Sequence, residues 1–425
     1  MFPPSARHSS GFVVPALGIH SQDVIAGAPV IELHLPGKIG EMAAELLVDL
    51  IALIDRPCRK LISLRASLSE SRVGALFLHK FNSELEQMTD RKKLGWGLIG
   101  ASDIAKTRMI EAINGQPDSA VVAVMSTNEE RAKHYAAENG IQHYYSSVEG
   151  LLTDPDVEVI YISTTNERHK AEVTLAAKSG KHVLCEKPLA LTVPDAREML
   201  ETCRQAHVVL GTNHHLRNAV THRALRRLIR EGAIGQPLAA RVFHAVYLPP
   251  RLQGWRLDKP EAGGGVILDI TVHDADALHF ALDDDAEEVV ALSARQGLGQ
   301  SGLEDAVMGA IRFRSGLLAQ FHDAFTIKNA RTGFEVHGSE GSLIGEDVMT
   351  QEPKGQLFLQ RAEKREEVDL GEHENLYAHQ VRHFNAAVKG QGTPFATGED
   401  GVRSLAVATA VLESTKTGQR VPVRY

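Results

Sequence analysis

LGWGLIGASDIA, residues 94–105, reads as an apolar strand, a tight turn and the first residues of a helix. Gly100 stands where the chain must reverse, and Ser102 and Ala105 occupy the second and third glycine positions of a GxGxxG loop. Both side chains are small. The backbone can therefore still approach a pyrophosphate, and the helix N-terminus behind it favours negative charge. An ordinary strand–turn–helix would carry the same pattern, so the surrounding sequence has to supply the context.

It does so on the C-terminal side. Strands are expected at 120–126, 157–163, 181–188 and 208–215, alternating with helices at 104–113, 129–138, 171–178 and 193–206. Short apolar runs separated by helix-period segments are the pattern of a doubly wound, Rossmann-type parallel sheet. This domain is placed at 88–213. Residues 214–425 read as an α+β domain with a mostly antiparallel open sheet. It begins with a helix at 223–230, a strand at 239–247, a Pro/Gly-rich loop at 248–265 and a helix from about 268. Strand-like runs at 287–294, 306–313, 316–325, 334–338 and 342–346 follow, with short Gly turns that suggest hairpins. A last helix at 401–415 is expected to return to the first domain.

Residues 1–87 form an extra N-terminal extension. Its one convincing helix, 38–54, cannot close a core alone. The stretch PVIELHLPGKIGEMAAELLVDLI (29–51) resembles the tail of a LacI-type regulator's effector-binding domain. Two readings stand: a start placed too far upstream, with Met88 as the natural beginning, or a true extension. The first is preferred. The chain of 425 residues is 43% hydrophobic and 24% charged, ordinary for a globular protein. Its 46 basic and 54 acidic side chains give a net charge of −8, which argues against nucleic acid as a partner. Three scattered cysteines (Cys58, Cys185, Cys203) make no disulfide framework, and neither a membrane span nor a signal peptide is visible. A cytoplasmic location is expected. The open sheet face leaves room for a homo-oligomer.

The second strand of the first domain speaks to the cofactor. A carboxylate about 20 residues past the glycines would read a ribose 2′-hydroxyl. Ser126-Thr127-Asn128 stand there instead, with Arg131 one turn on, and a guanidinium suits a 2′-phosphate. NADPH/NADP is expected over NADH; the alternative is a solvated Arg131 with Glu129 or Glu130 on the ribose. Thr164, Thr165, Asn166 and His169 follow the next strand, at the end where such sheets bind ligands, although Thr165 or Asn166 would serve equally as a helix cap. Glu186-Lys187-Pro188 closes a further strand and puts a positioned ammonium where a nicotinamide should lie. Downstream, Asp269 and His273 are spaced i, i+4 behind three glycines. On one helix face the aspartate would hold the imidazole or grip a substrate hydroxyl, and the histidine would serve as proton donor. A purely structural Asp–His pair has the same spacing. His214, His215, His222 and His244 lack the cysteine or HExxH companions of a zinc site, and no metal is expected.

GLIGASDIA (97–105), SGKHVLCEKP (179–188) and GGGVILDITVHDAD (263–276) together resemble the glucose-fructose oxidoreductase/inositol dehydrogenase (Gfo/Idh/MocA) family over about residues 94–425. STNEER (126–131), STTNERHK (163–170), GTNHHLRN (211–218), VYLPPRLQGWRL (246–257) and GFEVHGSEGSLIG (333–345) are similar to its bacterial 1,5-anhydro-D-fructose reductases. The resemblance implies NADPH-dependent reduction of the C2 ketone of 1,5-anhydro-D-fructose to 1,5-anhydro-D-mannitol, hence a small-molecule sugar substrate. It carries cofactor contacts onto Ser102, Asp103, Ile104, Ala105, Ser126, Thr127 and Arg131. It carries more onto Thr164, Thr165, Asn166, Glu167, Arg168, His169, Glu186, Lys187 and Asn213. Trp255 and Arg256 match a loop that closes over the cofactor, and Tyr377 a late tyrosine lining the same site; Lys187, Asp269 and His273 match the catalytic set. The first 87 residues have no counterpart in those enzymes. Two other functions compete: an NAD(P)-dependent polyol, inositol or sugar dehydrogenase of the same family, and a non-catalytic nucleotide-binding sensor.

Overall fold

The computed structural model describes residues 93–425 together with a two-stranded antiparallel hairpin, β1 (His20–Ile25) and β2 (Ala28–Glu32). The helix expected at 38–54, and most of the 29–51 stretch, lie outside the described residues.

The strand read first, β3 (Leu94–Ile99), is buried at all six positions, as a strand covered on both faces must be. It is the third of six parallel strands. β4 (Ser119–Met125), β5 (His143–Tyr145), β6 (Val159–Ile162), β7 (His182–Cys185) and β8 (Leu210–Thr212) complete the sheet in the order β5-β4-β3-β6-β7-β8. The chain starts in the middle and winds outward in both directions, so a crevice opens at the carboxyl ends of β3 and β6. Gly100 makes the turn after β3 with φ +105°. A Cβ there would sit 3.2 Å from the Ser163 carbonyl carbon and oxygen. The helix expected at 104–113 begins as a wider π-helical turn, Ala105–Met109, before regular helix Ile110–Asn114. The short strand β5 and helix Val148–Leu152 were not foreseen: the three residues of β5 are too few to show a period.

The second sheet has nine strands. β9 (Pro237–Ala245) lies parallel to β12 (Leu318–Ala324); every other pairing is antiparallel. β10 (Ala286–Ala294) and β11 (Ala306–Phe313) join β12 on one side. β13 (Gly333–Gly338), β14 (Ser342–Glu346), β15 (Gln356–Arg361) and β16 (Lys364–Glu367) extend from β9 on the other, and β17 (Val421–Pro422) closes the β10 edge. One face packs under helices Val272–Leu282 and Gly398–Thr417. The opposite face leaves Leu292, Met308 and Leu318 exposed.

Two late helices tie the halves together. Helix Gly398–Thr417 packs against Val193–Gln205 and β8, where Gly401 permits the approach: a Cβ would fall 2.3 Å from Thr212 Oγ1. Helix Leu376–Val388 covers β3. Phe384 packs on Trp96 with ring centroids 5.4 Å apart, and Trp96 Nε1 donates to Asn385 Oδ1 at 3.2 Å. Both rings are fully buried. Replacing Phe384 by alanine should destabilise the fold by about 3–5 kcal/mol through the cavity it leaves. Denaturant titration checks this; a midpoint equal to that of the unsubstituted protein would show that the helix is not needed to seal the sheet.

Candidate active site

A cavity of about 760 Å³ lies at the carboxyl ends of the parallel strands, roofed by the second half of the chain. Its walls bring together Gly100, Ser102, Asp103 and Ile104 after β3, Ser126, Thr127 and Arg131 after β4, and Thr164, Thr165, Asn166 and Arg168 after β6. Glu186 and Lys187 after β7 join them. Trp255, Arg256, Asp269, His273 and Tyr377 reach in from the other half. Two exposed ion pairs, Asp103–Arg251 and Arg108–Glu352, run between those halves across the cavity walls.

Four expected residues do not line it. Ala105 is fully buried and donates its N–H to Ser102 Oγ at 3.1 Å, which shapes the loop. His169 is fully buried beside the Pro188 and Thr164 carbonyls, 2.9 and 3.3 Å from its ring nitrogens. Glu167 accepts from Thr165 Oγ1 at the surface. Asn213 donates to Glu186 Oε1 at 2.6 Å. Thr165 makes no side-chain cap, and Asn166 instead reaches across to the Gly263 carbonyl at 3.1 Å. Glu186, adjacent in sequence to Lys187, turns its carboxyl toward Tyr161 and Asn213. Burial pushes that carboxyl up despite those hydrogen bonds.

Asp269 and His273 both line the cavity, but no hydrogen bond joins them; residues Ile267–Thr271 form a π-helical turn that ends just before His273. Asp269 turns to Lys187 instead. Lys187 Nζ donates to the Asp269 backbone carbonyl at 2.6 Å and to its Oδ1 at 2.9 Å, while Arg256 Nε donates to Oδ2 at 3.3 Å. Arg256 in turn lies over the Trp255 ring. Burial pushes the Asp269 carboxyl up, but Lys187 and Arg256 more than reverse this and hold it well below the usual carboxylate range. His273 makes no hydrogen bond through Nδ1; its ring packs edge-on against His215, centroids 4.7 Å apart. Burial, then the Lys187 charge and the neighbouring histidines, hold His273 well below the usual histidine range, so it is neutral near pH 7.

Two cavity residues were weighed in the sequence only as metal ligands. His215 stacks on Tyr377 at 5.1 Å, and His244 reaches the cavity from β9. Nothing in their spacing marks them, because their neighbours come from distant segments. The residues fit a dinucleotide. The Gly100 turn leaves no room for a Cβ, small residues follow it, and the buried hydroxyl of Tyr377 in the cavity wall has no hydrogen-bond partner among the described residues.

Residues 94–214 match the family model described as oxidoreductase family, NAD-binding Rossmann fold, and residues 222–344 match the GFO/IDH/MocA C-terminal domain. The chain is 59% identical over 328 residues to a 1,5-anhydro-D-fructose reductase of Ensifer adhaerens, covering 77% of this chain and 98% of that protein. The chain belongs to the Gfo/Idh/MocA oxidoreductase family. Among solved structures, this oxidoreductase is similar to an aldose-aldose oxidoreductase from Caulobacter crescentus. The TM-score is 0.72 at 25% identity, over 78% of this chain and 99% of that one. A 3-ketoreductase from Actinomadura kijaniata, solved with NADP and TDP-benzene, gives 0.69 at 26%, over 76% and 98%. The oxidoreductase has, among its described residues, no helix long and apolar enough to cross a membrane.

Asp269 stands between two cations in this cavity wall. Its replacement by alanine leaves a largely buried ammonium facing a guanidinium and should cost roughly 3–5 kcal/mol. Since the carboxyl is lowered in the fold, its contribution is complete above the unfolded value near 4 and is lost as pH falls further. The destabilisation measured by thermal melting should therefore be large at pH 7 and shrink toward pH 3; a difference independent of pH would contradict the pairing.

Proposed function

We propose that the chain reduces the C2 ketone of 1,5-anhydro-D-fructose to 1,5-anhydro-D-mannitol with NADPH. The observation that carries the chemistry is the meeting of Lys187 and His273 in one cavity with the small-residue loop after β3. The substrate is taken from the 59% identical Ensifer adhaerens reductase.

NADPH, when bound, supplies the hydride for the ketone carbon. The chain's residues handle the charge and proton that follow. Lys187 has three N–H bonds, and two are committed to Asp269. The third is available for the substrate oxygen, where a fixed positive donor stabilises the developing negative charge and delivers the proton. His273, neutral and buried at the same wall, orients that oxygen by hydrogen bonding. Asp269 fixes the ammonium and Arg256 fixes Asp269.

Selection of the phosphorylated cofactor is assigned to Ser126, Thr127 and Arg131. In support, all three line the cavity, and Glu129 and Glu130 do not. Arg131 donates to the Ala101 carbonyl at 2.7 Å, which holds its guanidinium over the loop. Two hydroxyls and a guanidinium suit a 2′-phosphate, and no carboxylate of this set is there to grip a bare ribose.

The assay is oxidation of NADPH and of NADH with 1,5-anhydro-D-fructose beside glucose, fructose and myo-inositol. Turnover with the anhydroketose and NADPH is expected. Preference for a polyol with NAD, or no carbonyl-dependent oxidation at all, would overturn the proposal. Lys187→Ala and His273→Ala should each lower kcat by about 10²-fold or more while NADPH binding, followed by its fluorescence, stays close to wild type. Arg131→Ala should raise the KM for NADPH about tenfold and leave that for NADH nearly unchanged, since only the 2′-phosphate contact is lost; equal effects on both would remove Arg131 from this role.

A further inference from the structure

Behind the cavity wall sits a second polar cluster that the reduction step does not use. β9 and β12 run parallel with Asp323 directly opposite His244, so both side chains leave the sheet on the same face. Helix Val272–Leu282 packs on that face and brings Asp274, and the preceding turn brings Thr271. Asp274, Asp323 and Thr271 are fully buried; His244 is nearly so and lines the cavity.

The contacts are satisfied by the following placement of hydrogens. His244 Nδ1 lies 2.8 Å from Asp274 Oδ1, and Thr271 Oγ1 donates to Asp323 Oδ2 at 2.5 Å. The remaining oxygens, Asp274 Oδ2 and Asp323 Oδ1, are buried without a donor among the described residues, although the two carboxyls are hydrogen-bonding neighbours. Two facing acceptors in a dry interior demand a proton, and a single one between them satisfies both. With that proton shared, Asp274 Oδ1 is an acceptor. His244 must then carry its hydrogen on Nδ1 and keep a bare lone pair on Nε2.

We propose that Asp274 and Asp323 are positioning residues. Sharing one proton, they lock His244 in the Nδ1–H tautomer and so present its Nε2 to the cavity as an acceptor for a substrate hydroxyl. This rests on the cavity being a sugar-reductase site. It adds a specificity element for the hydroxyl-bearing part of the substrate, separate from Lys187 and His273. Burial supports the protonation pattern. It pushes Asp274 up to about 7, drives Asp323 well above the carboxylate range with Asp274 adding to it, and lowers His244 to about 4. Lys187 disfavours the charged form of His244, whereas Asp323 and Asp269 favour it.

The test exploits amide geometry. An asparagine at either position can place its NH₂ toward the other carboxylate and its carbonyl where the engaged oxygen was, mimicking the shared proton. Leucine at 274 removes the acceptor for Nδ1–H, so nothing holds the hydrogen there and it moves to Nε2, where a cavity hydroxyl or water accepts it. Ring ¹⁵N–¹H correlation spectra of the full chain report the tautomer, with His244 assigned by difference from His244→Phe. The Nδ1–H form is expected in the wild type, Asp274→Asn and Asp323→Asn. Asp274→Leu should show Nε2–H and a KM for the ketone raised about tenfold or more, with kcat much less affected. A wild-type Nε2–H tautomer, reversal in either asparagine variant, or an unaltered tautomer in Asp274→Leu would overturn the proposal. The spectra need no substrate, so a wrong substrate assignment would leave the tautomer result standing.

Discussion

The contact between Lys187 and Asp269 joins the two halves of the site. The ammonium is carried out of the parallel sheet by β7, and the acid is delivered by the turn Ile267–Thr271 of the C-terminal half. Neither charge is well solvated, with side chains only 11% and 12% exposed, so neither is tolerable without the other. The consequence is geometric as much as energetic. A flexible lysine becomes a fixed donor with two bonds directed inward and one left for the cavity. Arg256 braces the same carboxylate, which connects the 248–265 loop to the chemistry.

The histidines around this pair follow from the same field. His214, His215, His244 and His273 are all held below the usual histidine range by burial, and Lys187 lowers each of them further. A cavity with one buried ammonium cannot also hold imidazolium groups. The site therefore separates its tasks. The positive charge resides on Lys187, and the neutral rings act through hydrogen bonds and stacking. His214 is spent on Ser404, His215 on Tyr377 and His273.

Much of this was legible in the chain because local chemistry wrote it. LGWGLIG, with its apolar run and turn glycine, placed β3, and the alternation after it placed the parallel sheet. EKP and the paired Asp269 and His273 marked the cavity wall. What was not legible depends on contacts between distant segments or on departures from regular backbone. The approach of Lys187 to Asp269, from segments 82 residues apart, leaves no periodic trace. Helix Leu376–Val388 was missed because His379, Gln380 and Asn385 put polar side chains on its buried face, although Tyr377, Val381 and Phe384 define it in the fold. His244 acquires its partners from Asp274 and, across the sheet, from Asp323. Glu186, expected among the cofactor contacts, turns its carboxyl to Tyr161 and Asn213, partners that come from distant segments.

The most direct test of the central claim is a crystal structure of the protein with NADP and 1,5-anhydro-D-mannitol bound together. The account predicts that Lys187 Nζ and a ring nitrogen of His273 both lie within about 3.2 Å of the same product oxygen, with Asp269 still holding the ammonium. An oxygen that reaches neither nitrogen, or a product seated away from the Lys187–Asp269 pair, would contradict it.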